Sequence, residues 1–152
     1  MILNIILGKL MTYINLIKIN VGSSTVEDIR RWQLTNKEKW PDKKPRHITR
    51  MWPKRQLEIL NGGSIFWVIK GYIMARQKIL GMEEFYRGDN VRCCSLIFDS
   101  TIYETESVRK RPFQGWRYLE IEQSPADLKI DRRNNDSIPA QLLAELADIG
   151  VR

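Results

Sequence analysis

Apolar residues recur at about every second position in several short runs of this chain, and a two-residue period predicts strands. Residues 13–21 alternate loosely and end at Gly22, and residues 64–70, SIFWVIK, are aromatic and β-branched. Gly71 interrupts this second run, and YIMARQKIL resumes it as a second strand after a tight turn or bulge. RGDN supplies turn chemistry before VRCCSLIFDS, TIYETE reads as the hairpin partner of that strand, and RPFQGWRYLEI begins as loop and ends as strand.

Elsewhere the period lengthens to that of a helix. Ser24 and Glu27 match a capping box, in which hydroxyl and carboxylate each satisfy an orphan amide, and Val26, Ile29 and Trp32 or Gln33 share the face that follows. Pro53 suits the first turn of a short helix, PKRQLEIL, that Gly62 or Gly63 ends. Ser137 and Pro139 open a C-terminal helix with Leu142, Leu143 and Leu146 on its apolar face. Between the first two helices residues 35–46 lose all period and carry five lysines or arginines with Pro41 and Pro45, an exposed basic loop or a solvated linker. Five or six short strands with helices near each end predict an α+β fold, a small, mostly antiparallel sheet curled or closed into a β-barrel and flanked by helices.

A chain of 152 residues fits one domain. Met11 is a candidate true start, with residues 1–10 an extension outside a single domain over 11–152. Lys9 and Lys18 break the apolar N-terminus and no cleavage site follows it, so a signal peptide or membrane span is not expected. Cys93 and Cys94 are adjacent, a geometry that rarely bridges, and reduced thiols fit a cytoplasmic protein.

Net charge is +7, which draws polyanions and makes nucleic acid or anionic lipid the default partner class, unless the charge is a solubility feature with no binding role, and position has to decide. With one histidine a multi-histidine metal site is impossible, no Gly-x-Ser-x-Gly elbow or phosphate-cradling loop occurs, and no cofactor is expected. The acidic residues offer no spacing that selects a catalytic pair. Cations do have a pattern. His47, Thr49 and Arg50 lead into Trp52, Pro53 and Lys54, where the amides of the predicted PKRQLEIL helix would meet a phosphate, unless Trp52 is a core plug and Arg50 has an acidic partner. Lys70 ends an apolar strand, and Arg76 and Gln77 emerge from the next, to touch phosphate and base edges or to blunt a sheet edge. In RKRPFQGWRYL, Arg111 and Arg117 alternate with Phe113 and Trp116, the recipe for phosphate neutralisation plus base stacking, although a loop clamped to the core by Trp116 accounts for the same residues.

At HITRMWPKR, GGSIFWVIKGYIMARQKILG and RPFQGWRYL the chain resembles a bacterial family of small basic proteins known as domain of unknown function 1489, from about Tyr13 to the C-terminal helix. That resemblance implies no activity. QLEILNGGSIFWVIKG, with RGDNV downstream, is also similar to the PUA-like superfamily in its ASCH and EVE branches. This second resemblance implies RNA or modified-base recognition in a cleft between barrel and helix, with Lys70 and Arg76 in the cleft. Met74 and Ala75 stand where the ASCH pattern has an acidic residue, which puts ASCH-type amidohydrolase chemistry in doubt.

The expectation is therefore a cytoplasmic, non-catalytic nucleic-acid-binding domain, with RNA favoured. Arg50, Lys54, Lys70, Arg76, Gln77, Arg111 and Arg117 would make the polar contacts, and Phe113 or Trp116 would stack. The alternative is an enzyme acting on a modified nucleoside or nucleotide, with Lys70, His47, Thr49 and Trp67 around one deep pocket.

Overall fold

A computed structural model describes residues 12–128. The predicted C-terminal helix and the choice between Met1 and Met11 lie outside the described residues. In chain order the elements are β1 (Asn15–Ile19), α1 (Val26–Asn36), β2 (Arg46–Thr49), α2 (Gln56–Leu60), β3 (Ser64–Ile69), β4 (Tyr72–Tyr86), β5 (Arg92–Arg109) and β6 (Trp116–Leu119), with short 3-10 turns at Lys37–Lys39 and Ile121–Gln123.

The capping box of α1 sits one residue later than the sequence suggests. Thr25 is the extended N-cap and its hydroxyl accepts from the Asp28 amide (3.1 Å), while the Asp28 carboxylate accepts from the amides of Thr25 and Ser24. The helix buries Val26, Ile29 and Gln33 and leaves Trp32 57% exposed. Gln33 is the polar member of that face, and it forms a reciprocal amide pair with the fully buried Gln77 of β4 (3.0 and 2.8 Å). Gln77 also donates to the Asp99 carbonyl and accepts from the Trp67 indole, so a polar group deep in the core is satisfied.

Helix α2 has only five residues, because Pro53 is buried ahead of it rather than opening it. At its end the Gly63 amide donates to the Ile59 carbonyl (2.7 Å), and β1 passes so close that a Cβ on Gly63 would lie 2.2 Å from the Ile14 carbonyl oxygen. Lys70 and Gly71 both have positive φ, 48° and 87°, the two-residue turn whose twist matches a β-hairpin. Lys70 is thus the first turn residue between β3 and β4, not the last residue of a strand. TIYETE is not a separate strand either. It lies within β5, whose partner along its whole length is β4, and register shifts near Ala75, Ile79 and Gly81 let this long hairpin bend.

The strands are ordered β2-β5-β4-β3-β1-β6, with β1 parallel to β3 and the remaining neighbours antiparallel. The α+β class is as expected. The closed barrel is not, since the sheet is mixed and its edge strands β2 and β6 do not pair with each other. Side chains approach across that gap instead. The Trp116 indole donates to the Met51 carbonyl (2.9 Å), and the Tyr118 hydroxyl accepts from the Arg55 amide (3.1 Å).

One face of the sheet packs Leu16, Ile65, Trp67, Ala75, Leu96 and Phe98 against Val26 and Ile29 of α1 and Ile59 of α2. The other buries Ile17, Phe66, Val68, Ile73 and Leu119, with Phe113 laid partly over them. Strand β3 is consequently buried at all six positions, which is why its sequence is continuously apolar rather than alternating.

The approach of β1 to Gly63 gives a stability prediction. Backbone oxygens cannot move aside as a flexible side chain can, so Gly63→Ala is expected to cost about 2 kcal/mol or more in urea unfolding. Gly88→Ala, where an added methyl meets nothing within 4 Å, should stay within about 0.5 kcal/mol of the parent. Similar unfolding midpoints for the two variants would contradict this packing.

Candidate functional site

Three concave regions occur among the described residues; one of about 510 Å³ is bordered by the Arg76–Asp127 pair and Tyr103, and the other two lie on opposite sides of β1. The first of these two is a groove of about 430 Å³ on the side of Ile17, bordered by Arg109, Lys110, Arg111, Phe113 and Arg117. Its geometry follows from the end of β5. The Lys110 amide donates to the Gly71 carbonyl (2.8 Å), and the chain then turns through Gly115, at φ 68°, to return as β6. Tyr72 pairs with Arg109, so the turn residue Lys70 sits at the same end of the sheet. The Arg117 guanidinium lies 5.1 Å from the centre of the Phe113 ring. Among the described residues, Lys70, Arg109, Lys110, Arg111 and Arg117 form no ion pair. Like charges held together without neutralisation make this a strongly positive surface.

Arg50 and Lys54 are also exposed and without ion pairs among the described residues, on the segment that follows β2. That segment is held by the Met51–Trp116 hydrogen bond and by Arg92, whose guanidinium lies 4.6 Å from the Trp52 ring centre. The start of the second helix, expected to meet a phosphate, is displaced and partly occupied. The helix begins only at Gln56, the Arg55 amide is taken by Tyr118, and the Arg55 guanidinium is engaged by Glu58 and Glu120.

Three more residues singled out in the sequence are engaged within the fold, Gln77 and Trp116 in the core and the half-buried Arg76 in an ion pair nearer the surface. Arg76 is clamped by both oxygens of Asp127 (2.7 and 2.8 Å), donates to the Ser64 hydroxyl and lies over the Tyr103 ring. The Asp127 partner arrives because residues 126–128 run beside the free edge of β5 through Thr105. Gln77 belongs to the amide pair with Gln33, and Trp116 is buried edge-on to Tyr118.

The second concavity is a cleft of about 450 Å³ on the inner side of the sheet, where α1 overhangs β1 and β2. Trp67 and Phe98 form its apolar base, Ile29, Trp32 and Gln33 of α1 one wall, and Lys18, Arg46 and His47 its basic members, with Asn20 to Gly22 at the rim. His47 and Trp67 thus meet in one pocket as expected, whereas Lys70, in the β3–β4 turn, and Thr49 are not among the residues that line it. The sequence reading passed over Lys18, Trp32, Gln33, Arg46 and Phe98. For Lys18 a signal existed, a cation inside an otherwise apolar strand.

No carboxylate lines this cleft. Arg46 is paired outside it, with Asp42 and with Glu83 (3.8 Å). Lys18 has neither an ion pair nor a side-chain hydrogen bond among the described residues, and its partial burial pulls the ammonium pKa below the usual lysine range. The His47 ring likewise has no hydrogen-bond partner among the described residues. Burial first, and the neighbouring Lys18 charge second, lower its pKa from 6.5 to about 4, so the imidazole is neutral at pH 7.

That shift makes stability depend on pH. The unfolded chain holds the imidazole proton up to about pH 6.5 and the folded chain only to about 4, so acidification between these values protonates the unfolded state first. Stability contributed by neutral His47 should be intact above pH 6.5 and fall toward pH 4, by about 2 kcal/mol once partial solvent exposure is allowed for. Urea midpoints at pH 7 and pH 4.5 should therefore separate more for the parent than for His47→Gln. Equal separations would show that burial does not perturb this histidine.

A family model described as "protein of unknown function (DUF1489)" matches residues 16–152. Neither the comparison with curated proteins nor that with solved structures found a match.

Proposed function

This chain belongs to the DUF1489 family, a membership that assigns no activity, and from the geometry we propose that it is a nucleic-acid-binding domain, RNA favoured, that catalyses no reaction. The observation that carries the proposal is the groove in which Arg109, Lys110, Arg111 and Arg117 gather around Phe113 with no carboxylate among its lining residues. Guanidinium and ammonium groups there are available to phosphate oxygens, and the half-buried Phe113 ring, with Arg117 over it, lies among them. An aromatic next to unpaired cations suits an unstacked single strand better than a duplex, which favours RNA loops and ends. Lys70 at the adjoining turn, and Arg50 and Lys54 on the segment after β2, are further cations left for a backbone to contact.

A PUA-like arrangement, with the sheet curled and not closed, is part of the same proposal. Its support is the approach of β6 to the segment after β2 through Trp116 and Tyr118, which brings the two ends of an open sheet together without backbone pairing. A cytoplasmic location fits the two buried, unbridged cysteines. No helix among the described residues is long and apolar enough to cross a membrane. The enzyme alternative loses its grouping, because Lys70 and Thr49 do not share the His47 cleft.

Salt titration tests the proposal. Each phosphate neutralised contributes about −0.7 to the log–log slope for a single strand, so engagement of the five unpaired cations around the groove predicts a slope of about −3.5 with single-stranded RNA. Replacing Arg111 and Arg117 together by alanine should flatten it by about 1.4, whereas Arg87→Ala, whose guanidinium is already paired with Asp89, should leave it unchanged. No salt-dependent binding, or binding indifferent to the double variant, would overturn the reading.

A further inference from the structure

The inner cleft is separate from the basic groove and stands on different residues. Its volume of about 450 Å³ lies within the range of sites that take one small molecule. Its polarity is lopsided, for a half-buried lysine, a neutral imidazole and two amide side chains, Asn20 and Gln33, meet three aromatic rings and no acid. Removing an ammonium from water without a counter-ion is costly, and a bound anion would offset that cost. A metal ion is the wrong guest, since the charged groups lining the cleft are cationic. A small inorganic anion would satisfy Lys18 but leave the Trp32, Trp67 and Phe98 walls unused.

We propose that this cleft is a binding site for a single nucleotide, with its base against Trp32 and Trp67 and its phosphate on Lys18. Asn20 and Gln33 supply the donors and acceptors for the edge of a base. The Asn20 side chain makes no hydrogen bond among the described residues, and Gln33, although paired with Gln77, keeps a second N–H and a second lone pair. His47, unprotonated at neutral pH, offers one donor and one acceptor beside Lys18 without competing for the anion. Trp32 is well placed to close over a ring, because it lies on α1 next to the residue that anchors the helix to the sheet and is itself more than half exposed.

A nucleotide can come from two sources, a free mononucleotide or an unstacked residue of a bound strand, and the chemistry of recognition is the same for both. The test titrates tryptophan fluorescence of the full chain with AMP, GMP, CMP and UMP, with inorganic phosphate, with the four nucleosides and with a short single-stranded RNA. Saturable quenching is expected from at least one mononucleotide or from the RNA, with phosphate or nucleoside alone at least ten-fold weaker. Lys18→Met should weaken this binding about ten-fold or more. Trp32→Ala should weaken it about five-fold or more, as loss of one stacking partner does. Because Trp32 is exposed, that variant should keep the parent's circular dichroism, so lost binding there is not lost fold. Replacing Arg111 and Arg117 by alanine should leave mononucleotide affinity unchanged, which separates failure of the groove from failure of the cleft. Quenching by mononucleotides assigns a free ligand. Quenching by RNA alone, still sensitive to Trp32→Ala, assigns a nucleotide within a strand. Absence of quenching by every probe, or quenching indifferent to both Lys18→Met and Trp32→Ala, overturns the proposal.

Discussion

The reciprocal amide pair between Gln33 and Gln77 is the contact on which the inner half of this molecule depends. It is a buried polar interaction between a helix and a sheet, and its value lies less in its net stabilisation, of order 1 kcal/mol per hydrogen bond, than in the cost of half of it. An amide left alone at that depth would be penalised by about 1–3 kcal/mol, so α1 is held to one rotation and one height above the sheet. At that rotation Val26 and Ile29 face the core and Trp32 faces outward over the cleft. An all-apolar helix face would bury as well but would specify the angle less tightly.

Much of the fold was legible because it is local. Period-two runs marked β1 and β4, aromatic and β-branched content marked β3, Gly71 marked the hairpin turn, and a cap was visible within one residue of its true position. The failures are where distant segments decide. Asp99 and Ser100 look like the end of a strand, yet β5 continues through them, because β4 pairs with it on both sides, up to Phe98 and again from Ile102, and the residues between are taken up as a bulge. Arg76 reads as a free cation because Asp127, its partner, lies 51 residues away and is delivered by the chain alongside β5. Lys70 seemed out of place at the end of an apolar run. Its position is explained by a turn that needs positive φ, a conformation uncommon outside glycine.

The candidate sites divide in the same way. Arg111, Phe113 and Arg117 are close in sequence, so their grouping in the groove could be anticipated from composition alone. The cleft could not. Lys18 reaches Trp67 only through the parallel pairing of β1 with β3, and His47 reaches Lys18 only because β2 pairs with the bent part of the β4–β5 hairpin. Neither pairing leaves a mark in the local pattern.

Strand β1 forms a wall common to the groove and the cleft. Ile17 contributes to the groove and Lys18 to the cleft, and successive strand residues must point to opposite faces. The strand is bonded on both sides, to β3 and to β6, so its register is set twice. A slip of a single position would turn the ammonium outward and the isoleucine inward, leaving one concavity greasy and the other still more cationic. Two chemically distinct compartments therefore share a single alignment, and they must be lost or kept together.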